Sequence, residues 1–201
     1  VSREDAEKGF KDYVCKKKFV PRAFYNKKQV ESITGVYFPY WHYNTRLEGK
    51  MQGEARNVRV WRTGNTEYTE TKYYQVSREG DVKLENLTEN ALGKANQELI
   101  CGVMPYDFKD VKKFQLGFLS GFLAEKRDIE KKQIEKKVQQ EARESAEKLM
   151  REQINGYSSV SVKNADFRAL KEKWSYTLLP VWTITYKAKN GKIHYFSMNG
   201  Q

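Results

Sequence analysis

The chain has 201 residues and a formal net charge of +11, and 39% of its residues are hydrophobic and 13% aromatic. This composition favours a folded protein with an aromatic-rich core and excludes a disordered chain. No run of about 18 apolar residues occurs, so no membrane-spanning helix is predicted. No apolar signal-peptide core follows the charged N-terminus, which predicts a cytoplasmic protein.

An amphipathic helix is predicted over residues 3–19. Ser2 and Asp5 have the three-residue spacing of a capping box, in which two residues satisfy each other's backbone donors at a helix start. Apolar residues at steps of three and four form the expected buried face: Ala6, Phe10, Tyr13 and Val14.

Four strands of an antiparallel meander are predicted next, because each link between them is too short for a parallel crossover. The four strands are predicted at residues 33–47, 56–62, 67–76 and 82–87, where apolar and polar residues alternate or Thr and Tyr are frequent. Gly49 and Gly53 are expected to bracket a turn or a bulge between the first two strands. Residues 63–65 (TGN) and 79–81 (EGD) are predicted to form the other turns.

Residues 114–124 (FQLGFLSGFLA) are the most apolar run of the chain. The run is too short to cross a bilayer, so we interpret it as a core segment or a close-packed connector. A segment that docks on a membrane surface or on a partner is the alternative.

The longest helix is predicted over residues 128–154, with Asn155-Gly156 as a left-handed cap at its end. One apolar stripe runs along it: Ile134, Val138, Ala142, Ala146, Leu149 and Ile154. We expect this helix to lie on a sheet, with a short coiled-coil contact as the alternative. Strands are predicted after it at residues 157–162, 174–186 and 192–198, the last two joined by a tight turn at Asn190-Gly191.

A short motif occurs twice, as Phe38-Pro39-Tyr40-Trp41 and as Leu179-Pro180-Val181-Trp182. Proline cannot donate a backbone hydrogen bond, so it is expected where a strand starts, on an edge or at a bulge. The Trp two residues later faces the same side and can pack on the helix of its own half. We therefore predict an α+β fold of two similar halves, each an amphipathic helix packed on an antiparallel β-sheet. In this fold the four repeated positions are structural: Pro39, Trp41, Pro180 and Trp182.

This fold divides the chain into three parts. Residues 1–88 hold a helix and the antiparallel meander, residues 89–127 a connector with the apolar segment, and residues 128–201 the long helix and an antiparallel hairpin. A single core shared by all the parts is the alternative.

The sequence contains no motif of a known catalytic site. It lacks a phosphate-binding loop, a dinucleotide-binding glycine pattern and a nucleophile elbow. Its Cys and His residues are not at metal-ligand spacing: Cys15, Cys101, His42 and His194. We interpret the two cysteines as reduced thiols. We therefore predict that the chain is not an enzyme and binds no cofactor or small-molecule substrate, with an unrecognised enzyme as the alternative.

Positive charge is concentrated before and around the two Pro-x-Trp strands. Such a field attracts the phosphates of nucleic acid or of anionic lipid; a role in solubility alone is the alternative. Residues 56–62 (RNVRVWR) interleave arginines with Trp61, a combination that binds phosphates and stacks on bases. The alternative there is that Trp61 belongs to the core and the arginines to its rim. The candidate anion-binding residues are Lys16, Lys17, Lys18, Arg22, Arg56, Arg59, Trp61 and Arg62.

Several blocks spread over nearly the whole chain carry a family resemblance: residues 33–41 (ITGVYFPYW), 119–126 (LSGFLAEK), 153–157 (QINGY) and 198–201 (MNGQ). In this order they resemble the body region of a poorly characterised family of Gram-positive bacterial zinc-ribbon proteins. Those proteins are often labelled as relatives of the primosomal replication-restart helicase. The closing hairpin is similar to small domains of the PepSY kind, and the two predicted halves are similar to PepSY-like or cystatin-like units.

The resemblance implies a non-catalytic body attached to a four-cysteine zinc ribbon. Zinc is then expected only in a preceding ribbon, which these 201 residues do not contain. The helicase label does not extend to this region, because no ATPase motif occurs. We predict a non-enzymatic binding or scaffold module with nucleic acid as its first candidate partner. The alternative is a membrane-proximal module that interacts with protein or lipid, membrane-associated in a full-length protein with a hydrophobic tail.

Overall fold

A computed structural model describes residues 1–16, 30–93, 103–187 and 193–201. Its two α-helices are α1, Arg3–Lys16, and α2, Lys131–Glu152. Its five strands are β1, Val30–Thr63; β2, Thr66–Asn90; β3, Phe122–Ala124; β4, Ser159–Lys187; and β5, Ile193–Asn199. Two short 3-10 turns lie at Phe108–Asp110 and Leu116–Leu119.

The five strands form one sheet in the order β2-β1-β4-β5, and β3 pairs in parallel with β1 through Gly35 and Phe122. Strands β4 and β5 are antiparallel, with Val181 opposite Asn199. The prediction of two similar halves, each a helix on its own antiparallel sheet, is therefore wrong. Strand β1 pairs with β4 across the two predicted halves, and long strands predominate over helices in the described residues. The fold is not a pair of PepSY-like or cystatin-like units.

Strand β1 continues through Gly49 and Gly53, where a turn or bulge was expected. A Cβ atom on Gly49 would lie 2.5 Å from the ring of Phe167, and one on Gly53 would lie 2.5 Å from the backbone oxygen of Ser161. The glycines are needed because neighbouring groups approach the backbone closely there, which is the other common meaning of glycine in a strand.

Strand β2 is also continuous, so the predicted turn at residues 79–81 is wrong. Asp81 pairs with Arg46 of β1, and Glu79 pairs with Lys50 of β1 at 3.4 Å. These acids therefore reach across to the neighbouring strand instead of leaving the sheet. The predicted turn at residues 63–65 is confirmed, with Gly64 at φ +61° between β1 and β2.

The predicted capping box begins α1. The Ser2 hydroxyl accepts a hydrogen bond from the backbone N–H of Asp5 at 3.1 Å, and the Asp5 carboxylate accepts one from the backbone N–H of Ser2 at 3.0 Å. Hydrogen bonds from Ser2 lower the pKa of Asp5. Ala6 and Phe10 are buried as predicted, whereas residues 17–19 of the predicted helix lie outside the described residues.

Helix α2 buries most of the predicted stripe: Ile134, Val138, Ala142 and Ala146. Leu149 was assigned to this stripe but is 43% exposed, and Met150 is buried in its place. A strict four-residue step from Ala146 leads to Met150, so Leu149 falls beside the buried ridge. The left-handed position after the helix is confirmed at Gly156, with φ +86°.

Neither Pro39 nor Pro180 is at the start of a strand, since Pro39 lies inside β1 and Pro180 lies inside β4. The Pro39 carbonyl accepts a hydrogen bond from Ala91 at 3.0 Å, one residue past the end of β2. The Pro180 carbonyl accepts one from Gly200 at 2.9 Å, one residue past the end of β5. Each proline thus lies where a neighbouring strand ends, a place where a missing N–H does not interrupt a ladder.

The chain comprises two compact units, one of residues 1–41, 88–131 and 176–201, the other of residues 42–87 and 132–175. One core cluster contains Tyr40, Val103, Tyr106, Leu179 and Val181, all in the first unit. Another contains Met51, Met150 and Ile154, all in the second unit. Each unit consists of segments that are not consecutive in the sequence, whereas the predicted division at residues 88 and 127 consists of consecutive segments. Within the described residues, no helix is long and apolar enough to cross a membrane.

The apolar run at residues 114–124 is not the core segment that its composition suggests. Phe122 does pack inward, with its ring centroid 4.9 Å from that of Trp182 and 5.0 Å from that of Tyr37. Leu116 and Leu123, in contrast, are 79% and 63% exposed. The run adds one three-residue strand to the edge of β1 and leaves most of its large side chains outside.

Candidate functional site

Two titratable side chains of β1, His42 and Tyr43, make hydrogen bonds to neighbouring strands. Among the described residues, no group of three or more His, Cys, Asp or Glu side chains is placed to hold a metal ion. The ring of His42 is hydrogen-bonded to Ser175 Oγ at 3.2 Å and to Asn86 Oδ1 at 3.0 Å. His42 therefore links β1 to both neighbouring strands.

A tyrosine–carboxylate pair between β1 and β4 is also a structural contact. The Tyr43 hydroxyl donates a hydrogen bond to Glu172, which accepts another from Gln139 at 2.9 Å. Burial, with the bond to Glu172 as a further cause, raises the pKa of Tyr43 to about 12. The hydroxyl stays protonated at neutral pH and serves as a donor, which suits a strand-to-strand contact and not a general base.

The predicted anion-binding residues fall into two groups. Lys17, Lys18 and Arg22 lie outside the described residues, and Lys16 is the last residue of α1. The others lie near the end of β1, beside the turn that leads into β2: Arg56, Arg59, Trp61 and Arg62. The structure thus brings four of the eight predicted residues to one end of the β1–β2 hairpin. We call this end, residues 56–74, the hairpin tip.

A ladder of three side chains forms the centre of the hairpin tip. The rings of Trp61 and Tyr68 are stacked, with centroids 5.6 Å apart and planes 14° from parallel. The guanidinium carbon of Arg59 lies 5.6 Å from the centroid of the Trp61 ring, within the range of a cation–π contact. The turn at Gly64 produces this arrangement, since it places β1 and β2 side by side and sets Trp61 against a cross-strand neighbour.

The ladder is open to solvent. Trp61 is 41% exposed and Tyr68 is 46% exposed, so the alternative that Trp61 belongs to the core is wrong. Val58 and Val60, which alternate with Arg59 and Trp61 along β1, are 42% and 55% exposed. Both faces of the hairpin are therefore accessible at the tip.

The other cations of the tip, Arg56, Arg62 and Lys72, contact polar or acidic side chains of the protein. Arg56 Nε donates a hydrogen bond to Ser159 Oγ at 2.7 Å, which anchors it on β4. Arg62 lies 3.9 Å from Glu67, and Lys72 lies 3.5 Å from Glu70. These exposed ion pairs are weak, so a phosphate can compete for the cations. Arg59 is the cation that the ring of Trp61 positions.

Tyr68 was not among the residues predicted for the candidate surface, and Tyr73 and Tyr74 were placed only within the Tyr-rich strand predicted at residues 67–76. Tyr73 is 64% exposed, and the ring of Tyr74 packs on Tyr157 with centroids 5.3 Å apart. The missing signal was the register of the hairpin. Once the two-residue turn is placed at Gly64-Asn65, counting residues outward along both strands sets Trp61 opposite Tyr68.

Comparison with known proteins gives one relative with no described activity. The chain is 27% identical over 201 residues to "Uncharacterized protein YdjG" of Bacillus subtilis (strain 168). The match covers 100% of this chain and 59% of the relative, so the chain spans about three fifths of that protein's length. No protein-family model and no solved structure matches the chain. The resemblances to zinc-ribbon proteins and to PepSY-like domains therefore stay predictions.

Proposed function

We propose that the chain is a non-enzymatic binding module whose hairpin tip binds single-stranded nucleic acid. The observation that carries the proposal is the exposed Arg59–Trp61–Tyr68 ladder. Nucleic-acid surfaces that do not read sequence combine cations for the phosphates with aromatic rings on which bases stack. The ladder supplies both within two adjacent strands.

The proposed contact uses the outer end of the ladder. One face of the Trp61 ring is occupied by Tyr68, so a base would stack on the solvent side of the ladder. The guanidinium of Arg59 would then turn from the ring towards a phosphate. Lys72 shares the face of Tyr68 on β2 and would take a neighbouring phosphate, since its present ion pair with Glu70 is exposed and weak. Arg62 alternates with Trp61 along β1 and lies on the opposite face.

The proposal is consistent with the charge of the whole chain. A net charge of +11 raises the local concentration of a polyanion and its rate of association. It gives no preference for one site, however, and generic attraction disappears at physiological salt. The contribution of the ladder is therefore the part of binding that persists at about 0.15 M salt.

The test is fluorescence anisotropy of a labelled oligodeoxythymidine and of a labelled duplex, titrated with the chain at several salt concentrations. Trp61→Ala should weaken single-strand binding by about 1–3 kcal/mol, roughly 5- to 150-fold, because one stacked base is lost. Arg59→Ala should also reduce the slope of log affinity against log salt by about 0.7.

Two variants outside the tip serve as matched controls. Tyr195→Ala removes an exposed aromatic ring of β5, and Arg151→Ala removes an exposed cation of α2. Both should bind the oligonucleotide as the unchanged chain does. Equal losses for the tip and control variants, or no binding at about 0.15 M salt, would mean that the charge acts generically and would overturn the proposal.

A membrane-proximal module is the second function considered from the sequence. It is favoured by a different surface, in the other compact unit.

A further inference from the structure

A second exposed patch lies in the first compact unit, on residues 109–126, which we call the apolar loop. Its large exposed side chains, with exposed fractions of 40% to 79%, are Val111, Phe114, Leu116, Phe118 and Leu123. Val111, Phe114 and Phe118 line one cleft of about 440 Å³ together with Tyr37 and Leu178. They are therefore neighbours in space, and a contiguous exposed apolar surface of this kind indicates a binding surface.

The chemistry around the apolar residues distinguishes between possible partners. Four lysines flank them: Lys109, Lys112, Lys113 and Lys126. None of the four has an ion pair within the described residues. Lysine is depleted at protein–protein interfaces. It is favoured at membrane surfaces, where its apolar stem lies along hydrocarbon and its ammonium group reaches the lipid phosphates.

The net charge of the loop region points the same way. From residue 107 to residue 127 there are five basic and three acidic residues, a net charge of +2. Two of the acids, Asp107 and Asp110, line the cleft together with Lys112. The carboxylate of Asp107 caps the neighbouring turn, since it accepts a hydrogen bond from the backbone N–H of Lys109 at 2.9 Å. The apolar loop is thus a hydrophobic surface with a mainly positive rim.

Part of the loop backbone is hydrogen-bonded within the protein, which lowers the cost of placing it at the edge of the hydrocarbon region, where unsatisfied polar groups are costly. The N–H of Phe118 donates to the carbonyl of Gln115 at 3.0 Å, and that of Ser120 donates to Gly117 at 3.2 Å. The N–H of Glu125 donates to Tyr37 of β1 at 3.0 Å. The 3-10 turn Leu116–Leu119 therefore presents Leu116 and Phe118 on a backbone that these turn hydrogen bonds fix.

We propose that the apolar loop docks on the surface of an anionic lipid bilayer. Leu116 and Phe118 enter the boundary between headgroups and acyl chains, and the flanking lysines contact lipid phosphates. This surface differs in composition from the hairpin tip, whose exposed residues are mainly Trp, Tyr and Arg. The proposal does not depend on nucleic-acid binding by the tip.

The test is flotation of the chain with vesicles of phosphatidylcholine alone and of phosphatidylcholine mixed with phosphatidylglycerol, at about 0.15 M salt. We expect binding to the anionic vesicles and little binding to the neutral ones. Leu116→Ser should reduce binding about tenfold, because an apolar side chain no longer leaves water. Lys112→Gln and Lys113→Gln should each reduce it about fivefold, through loss of attraction to the headgroups.

Leu170→Ser is the matched control, since Leu170 is a 46% exposed leucine on β4 in the second unit. It should bind vesicles as the unchanged chain does. Leu116 is 79% exposed, so its replacement should leave the thermal unfolding midpoint unchanged and any loss of binding is not a loss of fold.

Three results would overturn the proposal. They are equal binding to neutral and anionic vesicles, equal losses for Leu116→Ser and Leu170→Ser, and self-association in solution that Leu116→Ser abolishes without any vesicle binding. The last result would assign the loop to a second copy of the chain. The two proposals fail separately, because Trp61→Ala should retain vesicle binding and Leu116→Ser should retain binding of the oligonucleotide.

Discussion

Trp41 and Trp182 make the same hydrogen bond in different parts of the chain. Each indole N–H donates to a backbone carbonyl two residues before an α-helix, Trp41 to Ile129 at 2.9 Å and Trp182 to Val1 at 3.1 Å. Trp41 follows α1 in the sequence but contacts the start of α2, and Trp182 follows α2 but contacts the start of α1. The expectation that each Trp packs on the helix of its own half is therefore wrong, because the contacts are crossed.

The Trp41 bond should be measurable in stability. Trp41→Phe keeps an aromatic ring but leaves the Ile129 carbonyl without its indole donor, so the free energy of unfolding should fall by about 1–3 kcal/mol. Trp61→Phe is the control at an exposed position and should change it by less than about 0.5 kcal/mol. Urea unfolding followed by circular dichroism measures both. Similar small values for the two variants would contradict a structural role for the indole nitrogen of Trp41.

Two glycines of the sheet should respond to alanine with opposite signs. Gly53→Ala places a Cβ atom 2.5 Å from the Ser161 backbone oxygen, and should lower the free energy of unfolding by about 1–3 kcal/mol through overpacking. Gly80→Ala meets nothing within 4 Å, and should raise it by about 0.4–1 kcal/mol by restricting the unfolded chain. Thermal melts of the two variants give the signs directly. A destabilised Gly80→Ala would argue for a turn at residues 79–81 after all.

The rotation of α2 about its axis can be tested with two adjacent residues. Met150 is 4% exposed and packs with Met51 and Ile154, whereas Leu149 is 43% exposed. Met150→Ala should cost about 2–5 kcal/mol, and Leu149→Ala less than about 0.5 kcal/mol. If denaturant unfolding gave the reverse order, the stripe read from the sequence would be right and the observed rotation wrong.

The Tyr43–Glu172 contact should stop contributing to the stability of the folded state at alkaline pH. Folding raises the pKa of Tyr43 to about 12, mainly through burial, so the protonated hydroxyl stabilises the folded state. This contribution is complete below the unfolded pKa of about 10 and is lost as the pH rises through about 12. The stability difference between the unchanged chain and Tyr43→Phe should therefore be constant up to about pH 10 and shrink above it.

Urea midpoints at increasing pH measure this difference. Tyr195→Phe, at a 54% exposed position, is the control and should differ from the unchanged chain by a constant amount. A difference for Tyr43→Phe that stays constant to about pH 12 would falsify the assigned direction of the pKa shift.

Local features of the fold could be read from the sequence where one short pattern determines them. The capping box of Ser2 and Asp5, the turn at Gly64 and the left-handed Gly156 all depend on residues within a few positions of each other. The lengths of the strands could not be read in the same way. Glycine usually indicates a turn, but Gly49, Gly53 and Gly80 all lie inside strands. Gly49 and Gly53 are closely approached by groups of the neighbouring strand, and Gly80 has no neighbour within 4 Å. Sequence alone does not show these surroundings.

The candidate site was partly predictable for the same reason. Arginine and apolar side chains alternate over residues 56–62, which predicted a surface that binds phosphates and stacks on bases. The exposure of Trp61 agrees with that prediction. Tyr68 was missed because its role depends on the hairpin register. The apolar run at 114–124 was misassigned to the core because composition alone does not say whether an apolar segment meets the protein or another surface.

The pairing of β1 with β4 determines the order in which the chain can fold as it is synthesised. Strand β2 follows β1 after a two-residue turn, so the hairpin forms as soon as it leaves the ribosome. Strand β4 begins about a hundred residues later at Ser159, which at 5–20 residues per second is a delay of roughly 5–20 s. Throughout that interval the side of β1 that β4 will cover is an open strand edge, a template for pairing with another nascent copy. We therefore expect the yield of this protein to depend on how well that edge is protected during synthesis.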